Sequence, residues 1–372
     1  MSQNKTNQSN NQEFSKKYLV MDIVFYGGSL NYDQGSGNYQ ELKKITMYDG
    51  SVKILVSRWA LRYSMLEMGK DKFNWKLAQG DDLQLTSSGD SKGVVNPKYD
   101  KFIDDNKYKT DENGLPLILN YPEFDLFGFM ITKEKGEEKG KGLTRTTPVK
   151  ISHAISLNTY NFDTQFMANL GMMKRAGGEG SNPVNIEEFY GFYVYNVTFD
   201  LHRIGVLDDY PDKPLPFNER KKRVFELIDI IMTLKRDIKG KREDLSPWIV
   251  IAGVYDNLNY DTYMDRIELI KKERQRIERL EKEEETPDGK LRIIEYIKEE
   301  DCKPKFKLNI TQNDVNNGNA IIIFYKNNVE IEDFQSNNSY ENKSNENQKI
   351  YLIKEDKNEF IKKIEEAIVP KD

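Results

Sequence analysis

The sequence predicts an α+β fold, in which a sheet with packed helices is interrupted by large insertions. Two stretches, at 14–26 and 188–204, alternate apolar with other residues as strands do. Two others, at 58–68 and 216–239, carry apolar residues at helical spacing. Long polar, turn-rich segments separate these elements, which disfavours a regular β-α-β winding. The order of the two helices favours a split β-α-β, ferredoxin-like core.

The first part of the chain is predicted to alternate short strands with loops and one helix. In order, the elements are a strand at 14–26, a glycine-rich loop at 27–38, short strands at 45–47 and 52–56 around an Asp49-Gly50 turn, a helix at 58–68, a polar insertion at 71–122 and a strand at 124–131. Ser57 is a favourable N-cap of the helix, and Gly69 is a favourable residue just beyond its end.

The rest of the chain is predicted to hold the longest elements. In order, they are a charged loop at 133–147, a β-rich segment at 149–170, a second glycine-rich loop at 172–185, a strand at 188–204, a helix at 216–239 capped by Asn218, a buried strand at 248–254, a charged helix at 260–285, strands at 291–297, 320–325 and 350–353, and a closing helix at 358–368.

Composition disfavours most enzyme classes and a membrane location. Cys302 is the only cysteine and the two histidines, His153 and His202, are far apart, so we expect no disulfide, no metal site and no cofactor. None of the common hydrolase, metalloprotease or nucleotide-binding motifs occurs, and we expect no catalytic activity. No apolar run has the length of a membrane span, and the polar residues 1–13 resemble a disordered tail rather than a secretory signal. We therefore expect a cytoplasmic protein that contacts no membrane.

The net charge of −5 is distributed unevenly along the chain. Residues 278–301 hold ten acidic and five basic residues, an excess that equals the charge of the whole chain. Residues 139–175 hold six basic residues against Asp163 alone. This basic stretch is compatible with phosphate contacts, although an ordinary solvated surface has the same composition.

The first candidate site is the motif Ser57-Arg58-x-x-x-Arg62 at the start of the predicted helix. Arg58 and Arg62 are four residues apart and therefore share one helical face, between apolar residues that we expect to pack on both flanks. A helix N-terminus with a serine hydroxyl and two guanidinium groups is a suitable phosphate clamp. The alternative is a pair of surface salt bridges.

The second candidate site lies in 149–169, where aromatic rings alternate with amides and hydroxyls. Aromatic rings stack on bases and amides hydrogen-bond their edges, which is how single-stranded RNA is bound. An ordinary amphipathic hairpin would show the same pattern. The candidate RNA-binding residues here, with the basic residues around them, are Arg145, Lys150, Asn158, Tyr160, Asn161, Phe162, Gln165, Phe166, Lys174 and Arg175.

Two further loops have a weaker pattern. Gly177 and Gly178 follow Lys174 and Arg175, and glycines let a backbone approach a phosphate closely, although most glycine loops are only turns. Asp33, in the first glycine-rich loop, is the one carboxylate placed where RNA cleavage through an activated 2′-hydroxyl is conceivable. A turn aspartate is the more common explanation.

In order, these segments resemble the backbone subunit of type I-B CRISPR Cascade complexes, the DevR branch of the Cas-seven superfamily. The resemblance covers about 20–255 and rests on VSRWALRYSML (56–66), DLFGFM (125–130), the R-x-x-P-V-x-x-S-x-A-x-S-L run at 145–157, NFDTQFMAN (161–169), KRAGGEGSNPV (174–184) and FDLHRIGV (199–206). It implies an RRM-like palm, an inserted helical region and a β-hairpin thumb. On this chain these correspond to a palm at 14–70, 124–148 and 193–372, an inserted region at 71–123 and a thumb at 149–192.

The resemblance also implies a function. Subunits of this family polymerise along the guide RNA (crRNA), and those of type I complexes do not cleave target RNA. The implied partners are crRNA, the target DNA strand paired to it, further copies of the chain and other Cascade subunits. Ser57, Arg58 and Arg62 would grip the guide backbone, with Lys174 and Arg175 along the RNA path. Type III relatives cleave target RNA with an aspartate of the early palm loop, and Asp33 lies near that place, so a type III-like cleaving subunit is the alternative.

Overall fold

The structure is a computed structural model, and it describes residues 13–85, 93–105, 107–133, 142–178, 180, 183–270, 303–310, 314, 320–332 and 349–370. The predicted strand at 291–297, the acidic stretch 278–301 and residues 1–12 lie outside these ranges. Among the described residues there are six α-helices, at Arg58–Phe73 (α1), Tyr99–Phe102 (α2), Pro122–Phe127 (α3), Leu170–Arg175 (α4), Phe217–Met232 (α5) and Lys357–Ile368 (α6).

The strands of the first half are mostly short. They are β1 (Tyr18–Gly27), β2 (Tyr39–Gln40), β3 (Lys44–Thr46), β4 (Val52–Val56), β5 (Leu83–Leu85), β6 (Val95–Pro97), β7 (Ile103–Asp104), β8 (Lys107–Tyr108), β9 (Phe129–Thr132), β10 (Gly142–Arg145), β11 (Val149–Ile151) and β12 (Ala154–Ser156).

The second half contributes the longer strands. They are β13 (Asp163–Met167), β14 (Val184–Glu188), β15 (Gly191–Asp200), β16 (Lys235–Ile238), β17 (Lys241–Asp244), β18 (Ile249–Tyr255), β19 (Ile267–Ile270), β20 (Lys305–Leu308), β21 (Ala320–Tyr325), β22 (Glu330–Glu332) and β23 (Lys349–Lys354).

A nine-stranded sheet organises the fold. Its order is β23-β21-β18-β1-β15-β12-β4-β3, and β11 pairs with β15 beside β12. The two longest strands, β1 and β15, pair over their whole length from Tyr18 opposite Asp200 to Gly27 opposite Gly191. All pairs in this sheet are antiparallel except that of β21 with β23. The mixed α+β class is therefore confirmed, with a large sheet and few helices.

One face of the large sheet is covered by helices. The apolar residues that β1 directs to this face, Leu19 to Phe25 at every second position, are fully buried against α1, α5 and α6. From α5, Val224, Leu227, Ile228 and Ile231 enter this core, as expected from their helical spacing. We call this the helical face of the sheet.

The opposite face is covered only in part. Val24, Val194 and Ile251 pack there against a small sheet of β19, β20 and β22, through Ile267, Phe306 and Ile331. We call this the open face, because Tyr26 at the end of β1 is 40% exposed there. A third apolar cluster, around Phe102, Ile118 and Phe124, holds the inserted residues together.

The structure corrects several predicted elements. Helix α1 continues to Phe73, and Gly69 lies inside it, where the ring of Trp75 occupies the space a side chain would need. Asn218 lies within α5, whose N-cap is Pro216, and the chain after Met232 forms the hairpin of β16 and β17 instead of extending the helix.

Two predictions of element type are wrong. The apolar run 124–131 begins as helix α3 and becomes strand β9 only after Gly128, whose φ of 75° ends the helix. The described part of the predicted helix at 260–285 is a short 3-10 turn followed by β19, because Ile267 pairs with Leu308 of β20. None of the helices in the described part of the chain has the length and apolar character that crossing a membrane requires. The palm, insertion and thumb boundaries stay predictions.

Candidate nucleic-acid interface

The N-terminal half of α1 presents cations and exposed rings together. The side chain of Trp59 is 60% exposed and that of Tyr63 61%, one helical turn apart. The Arg58 guanidinium lies 4.9 Å from the centre of the Trp59 ring, and that of Arg62 lies 5.9 Å from it. We call Arg58, Trp59, Arg62 and Tyr63 the α1 ridge.

The start of α1 is fixed by three hydrogen bonds. Ser57 Oγ accepts the Ala60 N–H at 3.2 Å, so this hydroxyl caps the helix, as predicted. The Ser57 N–H donates to Asn31 Oδ1 at 2.8 Å, and the Arg58 N–H donates to His153 Nδ1 at 3.1 Å. The helix therefore begins in a fixed position between the first glycine-rich loop and the segment after β11.

The charges near the ridge differ in their surroundings. Burial lowers the pKa of Arg62, whose guanidinium also lies 5.0 Å from the Phe127 ring, while Glu123 opposes the shift. Burial, together with the Arg58 charge, lowers the pKa of His153, so its ring is neutral at pH 7 and Nδ1 accepts a hydrogen bond. Arg58 is exposed, whereas Arg62 is half-buried. The ridge thus combines one solvated and one partly desolvated cation.

A second exposed element is the hairpin of β13 and β14 with α4 between them. Every residue of β13 is exposed, including Phe166 at 66%, and Phe162 just before it is 68% exposed. The predicted residues Asn161, Gln165, Lys174, Arg175, Gly177 and Gly178 are also exposed here. Gly177 and Gly178 have φ of 86° and 97°, a backbone region that side chains disfavour.

The first glycine-rich loop connects the hairpin to the ridge. Asn31 in this loop bonds to Ser57, while Tyr39 and Gln40 form β2, which pairs with β14. The buried Glu187 of β14 accepts Lys44 Nζ at 2.8 Å and the Leu42 N–H at 2.8 Å. Burial opposes the ionisation of Glu187. The Lys44 ammonium and the Leu42 N–H, which donate to its carboxylate, nevertheless hold the pKa of Glu187 below its usual range.

Arg145 does not belong to the interface, and its prediction as an RNA-binding residue is wrong. Its side chain is 1% exposed and donates at 2.7 Å to Asp125, which also accepts Arg223 at 2.7 Å. It further donates to the backbone carbonyls of Arg203 and Val206. All these partners are internal, so the guanidinium is not available to a phosphate.

Three other predicted residues are engaged within the fold. The Lys150 ammonium, half exposed, pairs with Asp200. Asn158 Oδ1 accepts the Phe192 N–H at 2.8 Å, which fixes the chain as it leaves the sheet. The Tyr160 ring packs on the helical-face core beside Phe189 instead of lying open for stacking. Asn158 and Tyr160 therefore position the base of the hairpin.

The sequence did not identify Trp59 and Tyr63 as interface residues, because large apolar side chains on a helix were expected to be buried. The signal in the sequence is that each arginine is followed directly by an aromatic residue, at Arg58-Trp59 and at Arg62-Tyr63. The buried residues of the helix then lie on the other side, at Leu61 and Met65. A helix with two adjacent Arg-aromatic pairs one turn apart indicates an exposed cation–π surface.

Asp33 is exposed, and its carboxylate is occupied locally. It accepts the Gln34 N–H at 2.9 Å and the Lys43 ammonium at 3.3 Å. These hydrogen bonds lower the pKa of Asp33. Across the described residues, no group of three or more His, Cys, Asp or Glu side chains is arranged to hold a metal ion.

Comparison with known proteins gives the family. Among solved structures, the chain is similar to one titled "CRISPR RNA-guided surveillance complex, pre-nicking", with 11% identity, a TM-score of 0.42 and coverage of 63% of this chain and 78% of that one. It is also similar to one titled "CRISPR RNA-guided surveillance complex", with 12% identity, a TM-score of 0.41 and coverage of 67% and 73%. No curated protein matches. Residues 19–264 match the model of the family described as CRISPR-associated negative auto-regulator DevR/Csa2, and the chain belongs to this family.

Proposed function

We propose that this chain is a non-catalytic backbone subunit of a type I CRISPR Cascade complex, which binds guide RNA and assembles in several copies along it. The observation that carries the proposal is the α1 ridge, where two guanidinium groups alternate with two exposed rings on a rigidly anchored helix start. Membership of a CRISPR-associated family supports the same assignment.

The ridge suits a sugar–phosphate chain because it offers both of the interactions that such a chain makes. Arg58 and Arg62 supply forked donors and positive charge to phosphates. Trp59 and Tyr63 supply flat faces on which bases of any sequence stack. Because backbone contacts and stacking carry little base information, we expect guide binding that depends weakly on sequence.

The exposed hairpin suits contacts between copies. Phe162 and Phe166 are exposed together with three further apolar side chains of the same hairpin, Met167, Leu170 and Met172. Clustered exposed apolar residues indicate an interaction surface. Lys174, Arg175 and the two glycines beside this surface would contact the guide where the hairpin of one copy reaches its neighbour. The further partners in this proposal are the target DNA strand and the other Cascade subunits.

The decisive experiment co-expresses the chain with its guide RNA and measures RNA content and particle size. In the double variant Arg58→Glu/Arg62→Glu, we expect loss of most guide RNA and of the large particle. Lys107→Glu/Lys362→Glu is the matched control, since it makes the same charge change at two exposed lysines in other elements. Unchanged RNA content and size in the ridge variant would contradict the proposal.

A further inference from the structure

An unassigned cluster of rings lies on the open face, where β1, β15 and β18 meet at one end of the sheet. Tyr26 contacts Phe192 at 5.1 Å between ring centres, and Phe192 contacts Trp248 at 5.2 Å. Tyr26 is 40% exposed and Trp248 is half-buried, so both have accessible ring surface. None of these rings belongs to the α1 ridge or to the hairpin.

Tyr190 extends this cluster along the strand. It lies two residues before Phe192, a separation of about 7 Å in an extended chain. It is 56% exposed, and its ring occupies the space over Gly28, whose missing Cβ would lie 2.7 Å from that ring. The absence of a side chain at Gly28 therefore leaves the space that the Tyr190 ring occupies. We call Tyr26, Tyr190 and Trp248 the ring strip.

Lysines flank the strip at both ends. The Lys241 ammonium lies 5.9 Å from the centre of the Tyr190 ring, and that of Lys326 lies 5.1 Å from the Trp248 ring. Lys241 also forms an ion pair with Glu188 at 3.7 Å, which holds its ammonium beside the strip. Flat rings with flanking ammonium groups complement bases joined by phosphates.

A cavity opens over the strip. It has a volume of about 330 Å³, and its lining residues are Tyr26, Phe192, Trp248, Ile270, Lys303, Pro304 and Lys305. This volume lies within the range of about 300–1,000 Å³ that small-ligand sites occupy. Because three aromatic rings and two lysines line the cavity, its lining favours a nucleobase with its phosphate over an apolar side chain.

We propose that the ring strip is a second site for single-stranded nucleic acid, in which one base enters the cavity over Tyr26 and Trp248 and the next stacks on Tyr190. This inference deepens the proposed function and rests on it. The strand that occupies the site has two sources, the guide RNA and the target strand, and they share this chemistry.

Tryptophan fluorescence reports on the site directly. Of the three tryptophans, Trp59 lies on the α1 ridge and Trp75 is buried, so in a Trp59→Phe background a change on adding oligouridylate reports Trp248. We expect quenching in Trp59→Phe and none when Trp248→Phe is added. Tyr26→Ala/Tyr190→Ala should weaken oligouridylate binding at least about 30-fold, since two stacking faces are lost and each contributes about five-fold or more. Tyr48→Ala, a fully exposed tyrosine in the turn between β3 and β4, is the matched control.

Measurements on the assembled complex show whether the guide RNA or the target strand occupies the strip. They also distinguish failure of the ring strip from failure of the proposed function. Lower guide content in Tyr26→Ala/Tyr190→Ala assigns the strip to the guide, whereas normal guide content with weaker binding of a labelled complementary strand assigns it to the target. Binding of oligouridylate by the double variant as by the wild type, with guide and target unchanged, overturns the strip and leaves the α1 ridge standing. A smaller particle with unchanged nucleic-acid binding makes the strip a protein contact and also overturns the inference. Absence of guide RNA from the wild-type particle overturns the proposed function itself.

Discussion

Replacing Arg145 with methionine distinguishes a structural arginine from an RNA-binding one. The substitution keeps most of the volume and removes a guanidinium that donates to Asp125 at 2.7 Å, to the Asp125 carbonyl at 3.1 Å, to the Arg203 carbonyl at 2.8 Å and to the Val206 carbonyl. Removing one partner of a buried ion pair costs about 3–5 kcal/mol.

The cost should fall at the lower end of that range. Asp125 keeps Arg223 at 2.7 Å and the Gly205 N–H at 2.9 Å, so its charge stays compensated after the substitution. The carbonyls of Asp125, Arg203 and Val206 each lose a donor, and a buried group left unsatisfied costs about 1–3 kcal/mol. We therefore expect Arg145→Met to lower the free energy of unfolding by about 3–4 kcal/mol.

Urea unfolding followed by circular dichroism measures this loss. The exposed Arg175, changed to methionine, is the control, and we expect its unfolding free energy to stay within about 0.5 kcal/mol of the wild type. Guide RNA content is measured for both variants in the same particles. An Arg145→Met protein as stable as the wild type, but depleted of guide RNA, would refute the structural reasoning and restore Arg145 to the RNA path.

Three further predictions concern buried and turn residues. Burial raises the pKa of Asp22 to about 6 despite hydrogen bonds from the Tyr263 N–H and Asn196, so its contribution to stability is present below about pH 4 and lost as pH rises through about 6. The unfolding free energy of the wild type minus that of Asp22→Asn should fall by about 3 kcal/mol between those limits, and a constant difference would contradict this. Gly69→Ala should destabilise the protein in thermal unfolding, because the new Cβ would lie 2.3 Å from the Trp75 ring. Overpacking of this kind costs about 1–3 kcal/mol, whereas the gain in helix propensity is about 1 kcal/mol. Glu67→Ala on the same helix is the control. The assembled complex with Mg²⁺ should leave complementary RNA uncut, since the lowered pKa makes Asp33 a weak base; regularly spaced cuts that disappear in Asp33→Ala would favour the cleaving alternative.

Sequence analysis predicted correctly the elements in which apolar residues recur at the regular spacing of a strand or a helix. The strands around 14–26, 52–56, 248–254 and 320–325 and the closing helix are confirmed at nearly the predicted positions. In each case the spacing of apolar residues suffices, because burial on a sheet or helix face follows from that spacing alone.

The wrong predictions concern residues whose local sequence pattern fits more than one structure or role. The run at 124–131 is apolar except for Asp125 and Gly128, and such a run fits a buried helix or strand equally until Gly128 divides it. Ile267 and Ile270 fit a helix stripe, but pairing with residues 305–308 makes them part of a strand. Arg145 reads as a free cation only because its partners Asp125 and Val206 are 20 and 61 residues away.

The position of β1 in the middle of the sheet has a consequence for the order of events in the cell. Its neighbours are β15 and β18, and β18 in turn pairs with β21, which ends at Tyr325. A ribosome adding about 5–20 residues per second needs roughly ten seconds or more between β1 and β15. The ridge residues at 58–63 are synthesised within that interval, before β15 and β18 exist to complete the sheet behind them. We therefore expect the α1 ridge to reach its folded position only after β15 and β18 have been synthesised.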